Sequence, residues 1–80
     1  MKATVLVRPK DGILDPQGEA VRGSLEKLGF AVGSTRVGRV IDIEVDAEDH
    51  VSAREQVERM CSELLANPLI ESVEIRLEGE

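Results

Sequence analysis

An α+β fold is predicted for this sequence, with a four-stranded antiparallel sheet and two helices on one of its faces. Two kinds of periodicity carry the prediction. Aliphatic residues alternate with polar ones near the start, middle and end of the chain, as half-buried strands require. Between those stretches the apolar residues recur at helical spacing, and turn or cap residues stand at the boundaries.

The first strand is Lys2 to Arg8, "KATVLVR", with Ala3, Val5 and Val7 on one face and Thr4, Leu6 and Arg8 on the other. Pro9 and the polar "KDG" stop it. Asp15-Pro16 then starts a helix for a physical reason. The Asp15 side chain accepts from amides that lack helical partners, and Pro16 presets φ at the first helical position. Glu19 places negative charge near the positive end of the helix dipole. Val21, Leu25 and Leu28 form one stripe over a helix from about Pro16 to Leu28, and Gly29 is placed to cap it in a left-handed conformation.

From Phe30 to Asp46 the pattern turns to period two, most plainly at Ile41, Ile43 and Val45. Gly38 divides the segment, which predicts a hairpin whose first strand, "AVGSTRV", is weakened by Gly33 and Ser34 and lies at an edge. Ala53, Val57, Met60, Cys61 and Leu64 mark a second helix ending at Asn67-Pro68, and Val73, Ile75 and Leu77 mark a last strand. The order strand, helix, strand, strand, helix, strand fits a ferredoxin-like split βαββαβ architecture. Its second sheet face would be bare, presenting Leu6, Val40 and Ile70 among Thr4, Arg8, Asp42, Glu44, Glu74 and Arg76, a surface suited to a second sheet or a partner subunit.

Length and composition narrow the function classes. A chain of 80 residues is one domain, and one this small gains little net stability from its own core. The single cysteine, Cys61, excludes an internal disulfide, and the single histidine, His50, argues against a zinc site. Oligomerisation is the remaining source of support. The net charge of -6 argues against a nucleic acid partner, as does a lone aromatic residue, Phe30. No apolar run is long enough to span a membrane, and the first residues do not read as a signal peptide, so a cytoplasmic chain is expected.

Little in the sequence suggests catalysis. Cys61 sits in an apolar stripe as a small hydrophobe, and His50 lies in the polar approach to the second helix, suited to an exposed or capping role. Neither a G-x-G-x-x-G nor a phosphate-loop pattern occurs. "VGRV" at 37 to 40, with Arg8 after the first strand, resembles acylphosphatases, which would make the chain a small hydrolase. The only asparagine, Asn67, is explained by the break before Pro68 instead. An effector-binding regulatory module of the same fold is a further alternative.

The stretch "GILDPQG" at 12 to 18 sets two bulky aliphatic residues in a loop. Leu14 occupies the staple position before the cap, but Glu19 or Ala20 would have to receive it, a poor match that directs Ile13 at least toward a subunit contact. Arg36 and Arg39, on either side of Gly38, are solvated charges or partner contacts.

Three stretches together resemble the PurS family: "GILDPQGEAVRGSLEKLGF" at 12 to 30, "RVGRVIDIEV" at 36 to 45 and "CSELLANPLIESVEI" at 61 to 75. Arg39 departs from the lysine usual in that family, and the first strand lacks a tyrosine common there. The resemblance covers nearly the whole chain and implies a single PurS-like domain over 1–80. It implies the small subunit of phosphoribosylformylglycinamidine synthase, whose complex uses ATP and glutamine to convert formylglycinamide ribonucleotide to formylglycinamidine ribonucleotide. A large synthetase subunit would use the ATP and magnesium, and a separate subunit would be the glutaminase. This chain would bind no cofactor, form a homodimer or higher homo-oligomer, bridge the two and help ammonia pass. Ile13, Leu14, Asp15, Gln17, Arg36 and Arg39 are the residues expected to make partner contacts, and none is expected to be catalytic or to bind metal.

Overall fold

A computed structural model describes all 80 residues, Met1 to Glu80. Strand β1 runs Lys2–Pro9, helix α1 Pro16–Lys27, strand β2 Arg39–Glu44, helix α2 His50–Met60 and strand β3 Glu71–Leu77. The sheet is antiparallel with the order β2-β1-β3, so the first strand of the chain is the central one. Val5 stands opposite Ile41 on one side and Ile75 on the other, and Ala3 opposite Ile43 and Leu77. The predicted alternation is therefore realised: Ala3, Val5 and Val7 are buried, while Thr4, Leu6 and Arg8 point to the other face.

Helix α2 covers the buried face. Asp49 caps it, accepting from the Ser52 amide at 2.7 Å, and Ala53, Val57 and Cys61 descend its inner side onto Ala3, Val5, Val7, Val45 and Leu77. These eight residues are the whole buried apolar core, and no polar side chain is buried with them. The helix widens at its end into a π turn, Cys61–Leu65, closed by the Ala66 amide on the Cys61 carbonyl at 3.1 Å. A π turn rotates each residue less than an α turn does, which swings Leu64 away from the core and centres Leu65 on it. Leu64 is accordingly 84% exposed and Leu65 packs against the core, the reverse of what straight helical spacing implies.

The four-stranded expectation is overturned, because the sheet has three strands and residues 31–38 form none. Gly38 is not a hairpin turn. Its φ is not positive, and a Cβ there would lie 2.2 Å from the Val7 carbonyl oxygen, so this glycine serves a close approach to β1. The segment before it is drawn to the head of α1 instead of along β2: the Val37 amide donates to Asp15 at 2.8 Å, and the Thr35 carbonyl lies against Gly18.

Nor do both helices lie on one face. Helix α1 has the predicted boundaries, with Asp15 as cap and Pro16 in the first turn. Gly29 ends it at φ 98°, where the Phe30 amide reaches the Leu25 carbonyl at 3.1 Å and the Gly29 amide that of Glu26 at 3.0 Å. But Gly18 is its only buried residue, and Val21 and Leu28 are exposed. The helix projects from the sheet rather than packing on it. The chain is consequently 50 × 25 × 15 Å, with a radius of gyration of 15.8 Å, against about 12 Å for a compact domain of this length.

A core of eight small side chains leaves each one important. Replacing Val57, fully buried, by alanine is expected to cost on the order of 2 kcal/mol. Val51→Ala, on the exposed side of the same helix, should stay within about 0.5 kcal/mol. Urea unfolding followed by circular dichroism measures both.

Candidate functional site

The loop between β1 and α1 meets the segment entering β2, and this junction holds most of the residues expected to make contacts. Asp15 is its centre. One carboxylate oxygen accepts from the Gly18 amide at 3.1 Å, capping α1, and the other accepts from the Val37 amide at 2.8 Å. These two bonds, that from Val37 first, hold the Asp15 carboxyl below its usual pKa. Gly18 is required by the same junction, since a Cβ there would stand 2.2 Å from the Thr35 carbonyl oxygen. A glycine in the first turn of a helix is a poor helix former, and that is the signal by which sequence reading could have found this approach.

Ile13, Leu14, Asp15 and Arg36 line one shallow groove of about 200 Å³ with Lys10, Glu19 and Thr35. Leu14 is 80% exposed and is not a staple; Ile13, at 39%, is the better covered of the pair. Arg36 pairs with Asp11 across the groove at 3.1 Å. Gln17 is exposed on the first turn of α1, outside the groove.

Arg39 is also outside that groove, although it lines a second concavity, along β1, together with Arg36. Its guanidinium spans the α2 side of the sheet and donates to both carboxylate oxygens of Glu71, at 2.7 and 3.2 Å, and to the Leu65 carbonyl at the end of the π turn. Glu71 accepts as well from the Asn67 amide at 2.8 Å. The donated bonds, Arg39's above all, depress the Glu71 pKa. This clasp joins β2, the end of α2 and β3. Nothing in the alternation around Glu71 signals it, because the partners are 32 residues apart.

The reactive side chains are occupied structurally. Burial raises the Cys61 thiol above its ordinary pKa, so it is protonated at neutral pH. His50 Nε2 donates to the Glu78 carbonyl at 2.9 Å. Asn67 accepts from the Leu69 amide at 3.0 Å, forming the turn before β3, so it is bound into a turn instead of positioning a water. No three His, Cys, Asp or Glu side chains converge as metal ligands, and no helix is long and apolar enough to cross a membrane.

Fold and site together define a small α+β chain whose distinctive residues are engaged in joining elements and in presenting apolar and charged groups at the surface. The comparisons with known proteins specify which. The family model PurS, described as phosphoribosylformylglycinamidine (FGAM) synthase, matches residues 2–79, and the chain belongs to that family. It is 41% identical over 78 residues to the phosphoribosylformylglycinamidine synthase subunit PurS of Methanocaldococcus jannaschii, covering 96% of this chain and 94% of that one. Thermus thermophilus PurS superposes with a TM-score of 0.78 at 43% identity, covering 95% and 94% of the two chains. A chain in the structure of PurLQS from Thermotoga maritima gives 0.84 at 38% identity, covering 94% and 93%. These likenesses favour the synthase subunit over the hydrolase and the regulatory module.

Two carboxylates with depressed pKa values fix the direction of the acid response. Each contributes stability that is present above its unfolded pKa and is lost as the pH falls through its lower folded value. Glu71→Gln and Asp15→Asn should each lower the melting temperature at neutral pH and flatten its decline below about pH 4.5. Thermal melts across pH 2.5 to 7 measure this. A decline as steep in both variants as in the wild type would assign the acid response to other groups.

Proposed function

We propose that the chain is a non-catalytic small subunit that joins the large synthetase subunit to the glutaminase subunit of phosphoribosylformylglycinamidine synthase and assists the passage of ammonia between them. The observation that carries the reading is an end-to-end family match on a chain whose thiol is buried and protonated and whose one histidine is held by a backbone carbonyl. The complex would convert formylglycinamide ribonucleotide, ATP and glutamine to formylglycinamidine ribonucleotide, glutamate, ADP and phosphate in de novo purine synthesis. ATP and magnesium are used by the large subunit on this reading, and this chain binds neither. The cytoplasm is the proposed location. The PurLQS structure of Thermotoga maritima, with a chain so similar, supports the assembly.

Self-association is part of the same proposal. Val21, Leu28 and Phe30 are exposed on and just beyond a helix that packs on no sheet, and the buried core is eight small residues. A second copy that covers the stripe on α1 removes apolar surface from water at roughly 25 cal/mol per Å². Among the partner contacts, Ile13, Leu14, Asp15, Gln17 and Arg36 remain proposed as surface groups at the loop end. Arg39 is proposed to act by holding that end of the sheet, through Glu71.

The purified chain alone is expected neither to hydrolyse glutamine nor to consume ATP, and turnover by it would overturn the accessory assignment. Light scattering should give a dimer or larger assembly at micromolar concentration. A pull-down with the synthetase and glutaminase subunits, with glutamine and ADP present, should recover all three, and a chain that captures neither is not their bridge.

A further inference from the structure

One arginine has no carboxylate. Of the seven arginines, Arg22, Arg36, Arg39, Arg54, Arg59 and Arg76 each lie within salt-bridge distance of an Asp or Glu, while Arg8 meets none in a chain with 16 acidic residues. Its surroundings form a groove. Leu6 stands directly opposite Val40 on the sheet face that α2 does not cover, and Arg8 follows two residues along β1. Val7, Pro9, Arg36, Gly38 and Arg39 complete the lining of a concavity of about 440 Å³, with the Arg39 guanidinium already bound to Glu71. Gly38 makes the arrangement possible, since its lack of a Cβ lets the segment carrying Arg36 close onto β1 beside Arg8.

We propose that this groove docks an acidic segment of a partner subunit, with a carboxylate between Arg8 and Arg36 and an adjacent aliphatic or aromatic side chain on Leu6 and Val40. The inference rests on the bridging reading above and names the surface that would serve it. Val40 is 61% exposed and, directly opposite Leu6, gives the groove an apolar wall beside its cations. Arg36 can turn to a new partner cheaply, because Asp11, its present one, is 97% exposed in its side chain and such a pair is weak. A phosphate would leave the Leu6–Val40 pair unused, whereas a peptide uses both halves of the groove. The net charge of -6 makes the choice selective: acidic partners are repelled in general and accepted only where the cations are concentrated.

The test uses the full chain with the synthetase and glutaminase subunits in the presence of glutamine and ADP. Arg8→Glu should weaken assembly by about tenfold or more, and Val40→Asp likewise, with self-association and thermal melting of the isolated chain unchanged. Rising salt should weaken wild-type assembly while affecting Arg8→Glu much less. Wild-type affinity in both variants would overturn the groove and leave the subunit assignment standing. Failure of the wild-type chain to assemble would overturn the subunit assignment, and the groove with it. Stabilisation of the isolated chain by inorganic phosphate, lost in Arg8→Glu, would make the groove a small-anion site and overturn peptide docking.

Discussion

Strand β1 is the element on which the rest of the structure depends. It is central in the sheet, so its backbone is hydrogen bonded on both sides and both β2 and β3 take their register from it. Its inward side chains, Ala3, Val5 and Val7, are small, which lets α2 approach closely enough for Ala53 and Val57 to be fully buried above them. A slip of β1 by one residue against both neighbours would turn these three to the open face and bring Thr4, Leu6 and Arg8 under the helix. The alternation of one seven-residue segment therefore fixes which face becomes core and which remains free for other work.

The two ends of β1 are tied down differently. At its start the terminal ammonium donates to the Val45 carbonyl at 2.8 Å and the Lys2 amide to the Glu78 carboxylate at 2.9 Å, while Arg54 of α2 pairs with Glu80, so the first residues are held just past the ends of β2 and β3 and the last residue by α2. The far end is where the sheet meets α1, the turn at Asn67 and the Arg39–Glu71 clasp. There the chain has fewer buried residues and more polar connections, a balance that favours surface contacts over core.

Much of this was legible in the sequence, and the parts that were not share a cause. β1, β3 and the start of α1 were readable because periodicity and capping are local: Ala3-Val5-Val7, Val73-Ile75-Leu77 and Asp15-Pro16 each announce themselves within a few residues. The missing fourth strand was misread because "AVGSTRV" has enough alternation to pair, but Gly33 and Ser34 make pairing weak, and Asp15 competes for the Val37 amide. That competition joins positions 22 residues apart, beyond any local pattern. The position of Leu65 rather than Leu64 over the core likewise depends on a π turn that periodicity does not encode. Of the expected contact residues, Ile13, Leu14, Asp15 and Arg36 converge in one groove and Arg39 lines a second concavity with Arg36, its guanidinium bound by Glu71, a partner invisible to spacing arguments.

The glycines connect the fold to its surface. Gly18 and Gly38 are not turn residues; each lets one backbone lie against another where a methyl group would not fit. Gly18 brings Thr35 to the head of α1, and Gly38 brings the segment carrying Arg36 onto β1. Without those approaches residues 34–38 would be free to leave the sheet, and Ile13, Asp15, Arg36 and Arg8 would belong to separate parts of the surface. With them, one end of a 50 Å molecule gathers an aliphatic loop, a capped helix and two arginines. A chain with so small a core gains by placing its contact groups there. The polar bonds that order the loop, Asp15 to Gly18 and Val37, are satisfied within the monomer, so a partner arriving at that end meets an ordered surface and association loses less conformational entropy.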